Sequence, residues 1–378
     1  MPVQPPFTAL VQSLPTVVPF VAPEALERRR ERKLILRLGA NESPFGISPR
    51  AREAMESALE HAAWYGDPES YELRAELARR LGVVMSNLVV GSGIDDLLGL
   101  IVRALVAPGE RVVTSLGAYP TFNYHVAGYG GELHRVPYRD DRNDLKALAA
   151  AARAGARLVY LANPDNPSGS WYPAADLAAL IAALPPDCLL VLDEAYLEFA
   201  PAAEVLPIMA EDPRVIRLRT FSKAHGMAGT RIGYAIAAAE MIAGFDKIRL
   251  HFGVNAIAQA GALASLSDVD FVAGVVRAVA EGRRDYEALA RSLALTALPS
   301  ATNFVAIDVG GVERARALVE LLLARDVFVR MPGAAPLDRC IRITVGTPDE
   351  RTAFAEVMRE LHAAGELQRI GMARRVEG

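Results

Sequence analysis

Short segments rich in apolar and β-branched residues alternate with longer alanine-rich segments through the middle of the chain. The short segments are typical of β-strands, and the longer ones have the periodicity of helices. One segment, Leu189-Leu190-Val191-Leu192, is apolar without a break, as expected for a strand buried on both faces of a sheet. The alternation predicts an α/β fold with a mainly parallel sheet covered by helices. The predicted strands are residues 111–115, 132–136, 157–161, 189–193, 215–220 and 232–236, and the predicted helices between them include 143–154 and 174–184.

The chain has 378 residues, which is more than one hydrophobic core usually supports. We predict an N-terminal segment (1–45) that packs with the small domain or with a second subunit, a large domain (46–268) and a small α+β domain (269–378). The predicted elements of the small domain are helices 269–293 and 312–325, a helix that begins at Pro348, and strands 303–308, 327–330 and 341–345.

The composition argues against several other classes of protein. The formal net charge is −4 and no polybasic run occurs, so a nucleic-acid partner is not expected. The basic segment 27–33 is interrupted by acids, and we interpret it as the solvated face of a helix. The N-terminus does not resemble a signal peptide, and no apolar run reaches the length of about 18 residues that predicts a membrane span. We expect a cytoplasmic protein, with Cys188 and Cys340 as buried free thiols.

Polar or aromatic residues end or follow four of the predicted strands, at the sheet edge where ligands of parallel sheets usually bind. Taken singly, each has a simpler explanation: a core aromatic, a turn residue, a helix N-cap and a solvated lysine. Four of them at one edge are difficult to explain by solubility, so we interpret them as one site. The four residues are Tyr119, Asn166, Asp193 and Lys223.

The segment 220–234 places Lys223 among small residues and glycines, with Arg231 eight positions later. A lysine that forms a Schiff base needs such a permissive backbone, and a phosphate-bearing cofactor needs a fixed cation. A second anion site is predicted at 91–96, where a glycine-rich turn opens an apolar helix and leaves backbone N–H groups free. This turn is not a dinucleotide-binding motif, because Asp96 replaces the last glycine, and the chain contains no P-loop.

Eight segments, in order along nearly the whole chain, resemble the pyridoxal-phosphate (PLP)-dependent aminotransferases of fold type I, in the branch of the histidinol-phosphate aminotransferases. Segment 220–234 matches the lysine motif of those enzymes, S-K-x-x-G-[LM]-A-G-x-R-[IL]-G-[YF]. The resemblance implies the fold type I architecture, PLP as the cofactor and a homodimer. The eight segments are 38–44, 65–68, 91–96, 118–120, 163–169, 193–196, 220–234 and 340–347.

The resemblance also implies a role for each residue of the cofactor site. Lys223 would bond to PLP and act as general base and acid, and Asp193 would hold the proton on the pyridine nitrogen. Asn166 and Tyr196 would contact the phenolate oxygen, and Tyr119 would stack on the ring. Catalysis is thereby assigned to Lys223, Asp193 and Tyr196, and no metal site is implied. The residues implied at the phosphate are Gly93, Ile94, Asp95, Ser222, Arg231 and, from the second subunit, Tyr65.

The resemblance leaves the amino donor open. Arg342, with Arg330 as a second contact, would bind an anionic group of the donor, although a cation on a small-domain strand is the simpler explanation of Arg342. Related enzymes usually have tyrosines where Phe20 and Phe252 stand, so the donor is expected to be histidinol phosphate or a less polar amine, such as an aromatic amino acid. The acceptor would be a 2-oxo acid such as 2-oxoglutarate. The residues implied in substrate binding are Asn41, Phe20, Phe252, Arg330 and Arg342.

Two other functions fit the same residues. A PLP-dependent decarboxylase or lyase of this branch, similar to the threonine-phosphate decarboxylases, would use the same cofactor residues and release CO₂. A non-catalytic binding protein on this scaffold is less favoured, because Lys223 is intact and no DNA-binding pattern precedes Leu38. His225, at a position that related enzymes commonly fill with an apolar residue, is interpreted as a packing residue. The expected partners are small molecules and a second copy of the chain, with neither nucleic acid nor membrane.

Overall fold

The computed structural model describes residues 5–16 and 21–369. Within these ranges the strands are β1 (Leu36–Arg37), β2 (Leu88–Gly91), β3 (Arg111–Ser115), β4 (Glu132–Val136), β5 (Ala156–Ala162), β6 (Leu189–Asp193), β7 (Val215–Thr220), β8 (Gly233–Ile236), β9 (Thr296–Ala297), β10 (Phe304–Asp308), β11 (Val327–Phe328) and β12 (Cys340–Thr344). The α-helices in the same ranges are α1 (Ala9–Ser13), α2 (Pro23–Arg30), α3 (Pro49–Leu59), α4 (Tyr71–Leu81), α5 (Ile94–Leu105), α6 (Pro120–Gly128), α7 (Leu145–Arg153), α8 (Ala174–Ala183), α9 (Ala239–Asp246), α10 (Ala256–Ser267), α11 (Val269–Ser292), α12 (Val312–Ala324), α13 (Pro348–Ala363) and α14 (Glu366–Arg369).

Seven strands form a central sheet in the order β2-β8-β7-β6-β5-β3-β4. Strands β3 to β7 are parallel to one another. Strand β8 runs antiparallel to both of its neighbours, β7 and β2. The mainly parallel α/β sheet is therefore confirmed, with one reversed strand inside it.

Helices cover both faces of the sheet, and the side chains of each strand alternate between the two faces. On β5, Leu158 and Tyr160 pack into a core with α5, α6 and α9, whereas Val159 and Leu161 pack on the other face with α7 and α8. Every residue of β6 is buried, which explains the unbroken apolar run of its first four residues. The described residues contain no helix that combines the length and the apolar composition needed to cross a membrane.

A second sheet lies in the C-terminal part of the chain, where β10 pairs antiparallel with β9 and β12. Helices α11, α12 and α13 share one core with it. Strand β1 pairs in parallel with β11, and Leu36 and Leu38 belong to the same core. Helix α13 begins at Pro348 as predicted, because Thr347 Oγ1 accepts a hydrogen bond from Glu350 N and the Glu350 carboxylate accepts one from Thr347 N.

One strand was missed in the sequence, and two sequence expectations need correction. Strand β2 was not predicted, since only four residues separate a short 3₁₀ turn from the glycine-rich turn. The predicted strand 327–330 ends at Phe328, and Arg330 pairs with Arg342 in an isolated bridge outside the strand. Segment 27–33 is not only a solvated helix face, because α2 ends at Arg30 and both Arg30 and Arg32 pair with buried Asp326. The other predicted elements agree with the structure to within two residues, and both cysteines are free and buried as expected.

Candidate active site

The carboxyl ends of the parallel strands bring the predicted polar residues to one edge of the central sheet. Asp193 is the last residue of β6, and Lys223 follows β7 by three positions. Asn166 lies in the loop after β5, and Tyr119 lies between β3 and α6. Because these strands are parallel, their ends meet at the same edge, which is where ligands bind in folds of this type.

The Lys223 amine lies against the N-terminal part of the chain. Its Nζ donates a hydrogen bond to the Asn41 carbonyl oxygen at 2.9 Å and lies 5.4 Å from the centre of the Tyr196 ring. Asn41 Nδ2 in turn donates to the Tyr196 hydroxyl at 2.9 Å. The sequence contains four lysines, and the other three (Lys33, Lys146 and Lys247) are exposed.

A tight turn after Lys223 fixes the lysine loop, which is the connection between β7 and β8 (221–232). Gly226 has a φ of +71°, and its N–H donates to the Lys223 carbonyl oxygen at 3.0 Å. A Cβ at this position would lie 1.9 Å from the carbonyl oxygen of Gly46. Only glycine fits here, because the left-handed backbone and the neighbouring main chain both exclude a side chain.

Asp193 is buried and is held by two donors. The Tyr160 hydroxyl donates to Oδ2 at 2.7 Å, and the Ala195 N–H donates to Oδ1 at 3.0 Å. Burial raises the pKa of Asp193 to about 6, against the lowering effect of these two hydrogen bonds. Within the described ranges no ion pair reaches this carboxylate, whereas adjacent Glu194 pairs with Arg217 and Arg219.

Tyr160 was not among the residues predicted from the sequence. The signal that identifies it is the strand register, since Ala162 lies opposite Asp193 and Tyr160 is two residues away on the same face. That register is a property of the paired strands and cannot be read from β5 alone.

An anion site lies where β2 meets α5. The first turn of a helix leaves N–H groups without intrahelical partners, and Arg231 lies beside this turn. A Cβ on Gly93 would lie 2.6 Å from Arg231 Nη2, so glycine is needed for this approach. Arg231 Nη2 is also 3.8 Å from Asp95 Oδ2. Ser222, the residue before Lys223, is buried, and its hydroxyl accepts a hydrogen bond from Thr220 Oγ1 at 2.9 Å.

Tyr119 connects the sheet edge to this turn. Its hydroxyl donates to Asp95 Oδ1 at 2.9 Å. Burial, with the charge of Asp95, raises the pKa of Tyr119 well above its ordinary value, so the hydroxyl stays protonated at neutral pH. Ile94 is the first residue of α5 and is buried.

Arg342 points from β12 toward the same edge. Its Nη1 donates to Asn166 Oδ1, and its Nη2 donates to the Gly39 carbonyl oxygen at 3.4 Å. The guanidinium lies 5.1 Å from the centre of the Phe304 ring. Its Nε is buried and has no hydrogen-bond partner among the described residues. Burial lowers the pKa of Arg342 to about 10, so the side chain stays cationic at neutral pH.

The remaining predicted substrate residues lie farther toward the surface or outside the described ranges. Arg330 Nη2 donates to the Val21 carbonyl oxygen at 3.0 Å. Phe252 is 56% exposed, and its ring centre is 4.7 Å from that of Tyr65, which is 84% exposed. Phe20 lies outside the described residues. His225 is buried, with Nδ1 2.7 Å from Ser265 Oγ and its ring against Phe221, as expected of a packing residue.

The chain is similar to known proteins over most of its length. The family model described as aminotransferase class I and II matches residues 33–358. A histidinol-phosphate aminotransferase 2 from Ralstonia nicotianae is 38% identical over 336 residues, which cover 88% of this chain and 90% of that protein. A histidinol-phosphate aminotransferase 1 from Bacillus cereus is 35% identical over 343 residues, covering 89% and 92%.

A solved structure is also similar over almost the whole chain. The crystal structure of histidinol-phosphate aminotransferase from Sinorhizobium meliloti in complex with pyridoxal-5'-phosphate has a TM-score of 0.91 and 50% sequence identity, and the match covers 95% of this chain and 99% of that one. The family match spans most of the sequence, and the relatives are matched over nearly their full length. The chain therefore belongs to the class I and II aminotransferases.

Proposed function

We propose that this aminotransferase uses PLP to move an amino group from histidinol phosphate, or from a related amine such as an aromatic amino acid, to a 2-oxo acid such as 2-oxoglutarate. One observation supports it above the others. Asp193 is a buried carboxylate that no cation of the described chain reaches, at the same sheet edge as the Lys223 amine. The two hydrogen bonds to this carboxylate leave its charge without an ion pair, and the protonated pyridine nitrogen of PLP would supply the cation.

The described residues fit the other parts of PLP as well. The N-terminal turn of α5 and Arg231 offer N–H groups and a guanidinium for the phosphate, and the closeness of Gly93 to Arg231 allows both to meet one anion. We assign Ile94, Asp95 and Ser222 to the surroundings of the phosphate. Asn166 and Tyr196 offer donors for the phenolate oxygen, and Tyr119 offers a ring face. The orphan Nε of Arg342 is a donor that a ligand would satisfy.

In this proposal, PLP supplies an electron sink for the bond that breaks at the substrate's α-carbon. The chain's own residues position the reactants and move the proton. Lys223 Nζ would accept the α-proton of the amino donor as general base and would then deliver it, as general acid, to the C4′ carbon of the cofactor. Asp193 keeps a cationic ring nitrogen in place through its charged carboxylate. The Asn41 carbonyl oxygen orients the free Lys223 amine, with the hydrogen bond described above.

The class of amino donor is inferred from the positive charge of Arg342. A buried cation with an unused donor favours an anionic group on the substrate, such as a phosphate or a carboxylate. We place Arg330 as a second contact and Asn41 as a wall of the pocket. The phenylalanines at positions 20 and 252 lack the hydroxyls that related enzymes direct toward a phosphate, and each missing donor costs about 1–3 kcal/mol if nothing replaces it. Histidinol phosphate and aromatic amino acids therefore both belong in the test.

We further infer that the enzyme is a homodimer in which the partner subunit contributes Tyr65 to the phosphate site. Tyr65 and Trp64 are exposed large aromatics, and Tyr65 contacts Phe252 from a distant part of the chain. Such exposed aromatic clusters are typical of subunit interfaces. The domain boundaries near 46 and 268, and a cytoplasmic location, stay predictions.

The assignment of Lys223 is tested by substitution. Lys223→Ala is expected to abolish transamination and the visible absorbance that PLP acquires when it bonds to a lysine, because no other lysine lies at the sheet edge. Lys146→Ala and Lys247→Ala are matched controls, since both side chains are exposed, and they should keep both signals. Turnover and visible absorbance that survive in Lys223→Ala would overturn the assignment.

The reaction and the donor are separated by a panel of amines. Purified holoenzyme is mixed with histidinol phosphate, phenylalanine or tyrosine, and loss of the visible absorbance is followed with and without 2-oxoglutarate. Formation of glutamate supports transamination. Release of CO₂ without glutamate would select the decarboxylase alternative, and a purified protein that ignores added PLP would select a binding protein.

A further inference from the structure

Tyr160 and Asp193 lie on the same face of two neighbouring parallel strands. In the register of β5 and β6, Ala162 is opposite Asp193 and Tyr160 is opposite Val191. Diagonal neighbours on one face of a sheet are far enough apart that only long side chains join them. The small side chain of Ala162 leaves room for this contact, and the Tyr160 hydroxyl reaches Asp193 Oδ2 at 2.7 Å.

The position of the Tyr160 hydroxyl is fixed by packing. The side chain is 1% exposed, and its ring stacks on that of Phe122 with centroids 4.4 Å apart and an angle of 15° between the planes. Phe122 is fully buried in the same core. A buried aromatic ring held on one face by another ring has little rotational freedom, so its hydroxyl is a fixed donor.

The charges around the pair favour donation in one direction only. Burial, then the charge of Asp193, raises the pKa of Tyr160 well above its ordinary value, and Tyr119 and Asp165 act in the same sense. Tyr160 therefore keeps its proton and donates it. Donation to Oδ2 stabilises the charged form of the Asp193 carboxyl and opposes the effect of burial. Asp95 and Glu194, the other acids that act on Asp193, both favour the neutral form.

We propose that Tyr160 is a positioning residue for the reaction: its hydroxyl holds Oδ2 of Asp193 so that the carboxylate stays charged and correctly oriented toward the ring nitrogen of the cofactor. This inference rests on the proposed function of Asp193 as the partner of that nitrogen. Tyr160 acts through Asp193 and does not itself contact the cofactor. Its effect is therefore a property of Asp193 that can be measured with or without PLP.

The first test measures the Asp193 carboxyl in the cofactor-free protein. The protein is labelled with ¹³C at aspartate carboxyl groups, and the Asp193 resonance is identified by its loss in Asp193→Asn. In Tyr160→Phe, which keeps the ring stack, the pKa of Asp193 should rise by about one to two units, because a hydrogen bond to a charged group is worth that much. Tyr286→Phe is the matched control. It removes another buried hydroxyl, one that donates to the Thr344 carbonyl oxygen, and should leave the titration of Asp193 unchanged.

The second test measures the affinity for PLP in a double-mutant cycle. Tyr160→Phe should raise the dissociation constant of PLP about tenfold in the wild-type background and leave it unchanged in the Asp193→Asn background, because the hydroxyl then has no carboxylate to act on. Equal losses in both backgrounds would mean that Tyr160 stabilises the core only, and would overturn the proposal. An unchanged Asp193 titration in Tyr160→Phe would overturn it as well.

The two tests separate failure of this inference from failure of the proposed function. If the wild-type protein does not bind PLP, the proposed function fails, and the titration still decides whether Tyr160 controls Asp193. If PLP binds and Tyr160→Phe changes neither the titration nor the dissociation constant, the function stands and the role of Tyr160 is rejected.

Discussion

At the scale of single residues, adjacent carboxylates have opposite surroundings. Glu194 accepts from Arg217 Nε at 3.0 Å and from Arg219 Nε at 2.9 Å, so its charge is balanced inside the protein. Asp193 has a tyrosine hydroxyl and a backbone N–H instead. The residue types Asp and Glu do not by themselves show which of the two carboxylates is paired with arginines. The difference arises from side-chain direction, because successive residues of a strand point to opposite faces.

His225 makes the stability of the protein depend on pH. Burial lowers its pKa to about 4 in the folded state, against about 6.5 in an unfolded chain. The unfolded state therefore binds more protons than the folded state between these pH values. The stability that neutral His225 contributes is fully present above this range and is lost as the pH drops through it. From pH 7 to pH 5, His225 should account for a loss of roughly 2 kcal/mol in the free energy of unfolding.

This contribution is measured by urea unfolding of the cofactor-free protein at the two pH values. The comparison variant is His225→Leu combined with Ser265→Ala, which also removes the hydroxyl that His225 would leave unpaired. The variant should lose less stability than the wild type between pH 7 and pH 5. Asp193 is present in both proteins, so its own titration cancels. Equal losses would contradict the assignment.

At the scale of elements, the turn that follows Lys223 decides whether the lysine loop can close. Gly226→Ala should lower the free energy of unfolding by at least about 2 kcal/mol, because the new Cβ meets the Gly46 carbonyl oxygen and the backbone has a positive φ. Gly229 lies three residues later, and no atom lies within 4 Å of a Cβ built there. Gly229→Ala is therefore the control, with an expected change of less than about 1 kcal/mol. Chemical unfolding of the two variants checks this, and equal stabilities would contradict it.

The strands and helices that the sequence predicted well are those with a strong pattern. Strands β3 to β7 have apolar, β-branched runs, and the helices between them are long and periodic. The direction of β8 was not predictable, because a buried antiparallel strand has the same apolar run as a parallel one. Strand β2 was missed because it is short, and the pairing of β1 with β11 depends on two residues in each strand. Contacts of this kind are decided by tertiary packing and leave little trace in local sequence.

At the scale of the whole molecule, the site draws on segments from one end of the chain to the other. The strand pattern was sufficient to predict that Lys223, Asp193 and Asn166 lie at one edge of the sheet. Their roles toward the cofactor, which the order of eight motifs implies, stay predictions. The strand pattern was not sufficient to predict that Lys223 contacts the Asn41 carbonyl oxygen or that Arg342 donates to Asn166, since these contacts depend on how distant segments pack. The substrate side stays the least predictable part for the same reason.

The proposed homodimer predicts that two defective chains restore one another. Lys223→Ala lacks the lysine, and Tyr65→Phe lacks the hydroxyl that the proposal directs across the interface. If each site combines Lys223 of one chain with Tyr65 of the other, a mixed dimer has one complete site. An equal mixture, dissociated and reassociated at limiting PLP, should recover about a quarter of the wild-type activity, since about half of the dimers are mixed.

Sedimentation should give a mass of about 81 kDa, twice the 40.6 kDa of the chain. The separate variants, treated in the same way, are the controls. A mixture no more active than these controls would mean that Tyr65 serves its own chain, or that no dimer forms.

The contacts of Asn41 determine the stage of protein synthesis at which this part of the site can form. The Asn41 N–H donates to Thr344 Oγ1 at 3.0 Å, and Asn303 Nδ2 donates to the Asn41 carbonyl oxygen at 3.1 Å. Once residues up to Ile236 have been made, the loop with Lys223 and all strands of the central sheet are present, but Asn303 and Thr344 are not. Asn41 is made early, but its hydrogen bond to Thr344 forms only after β12 has been made. The contacts that hold Asn41 beside the Lys223 amine are therefore complete only when nearly the whole chain has been made.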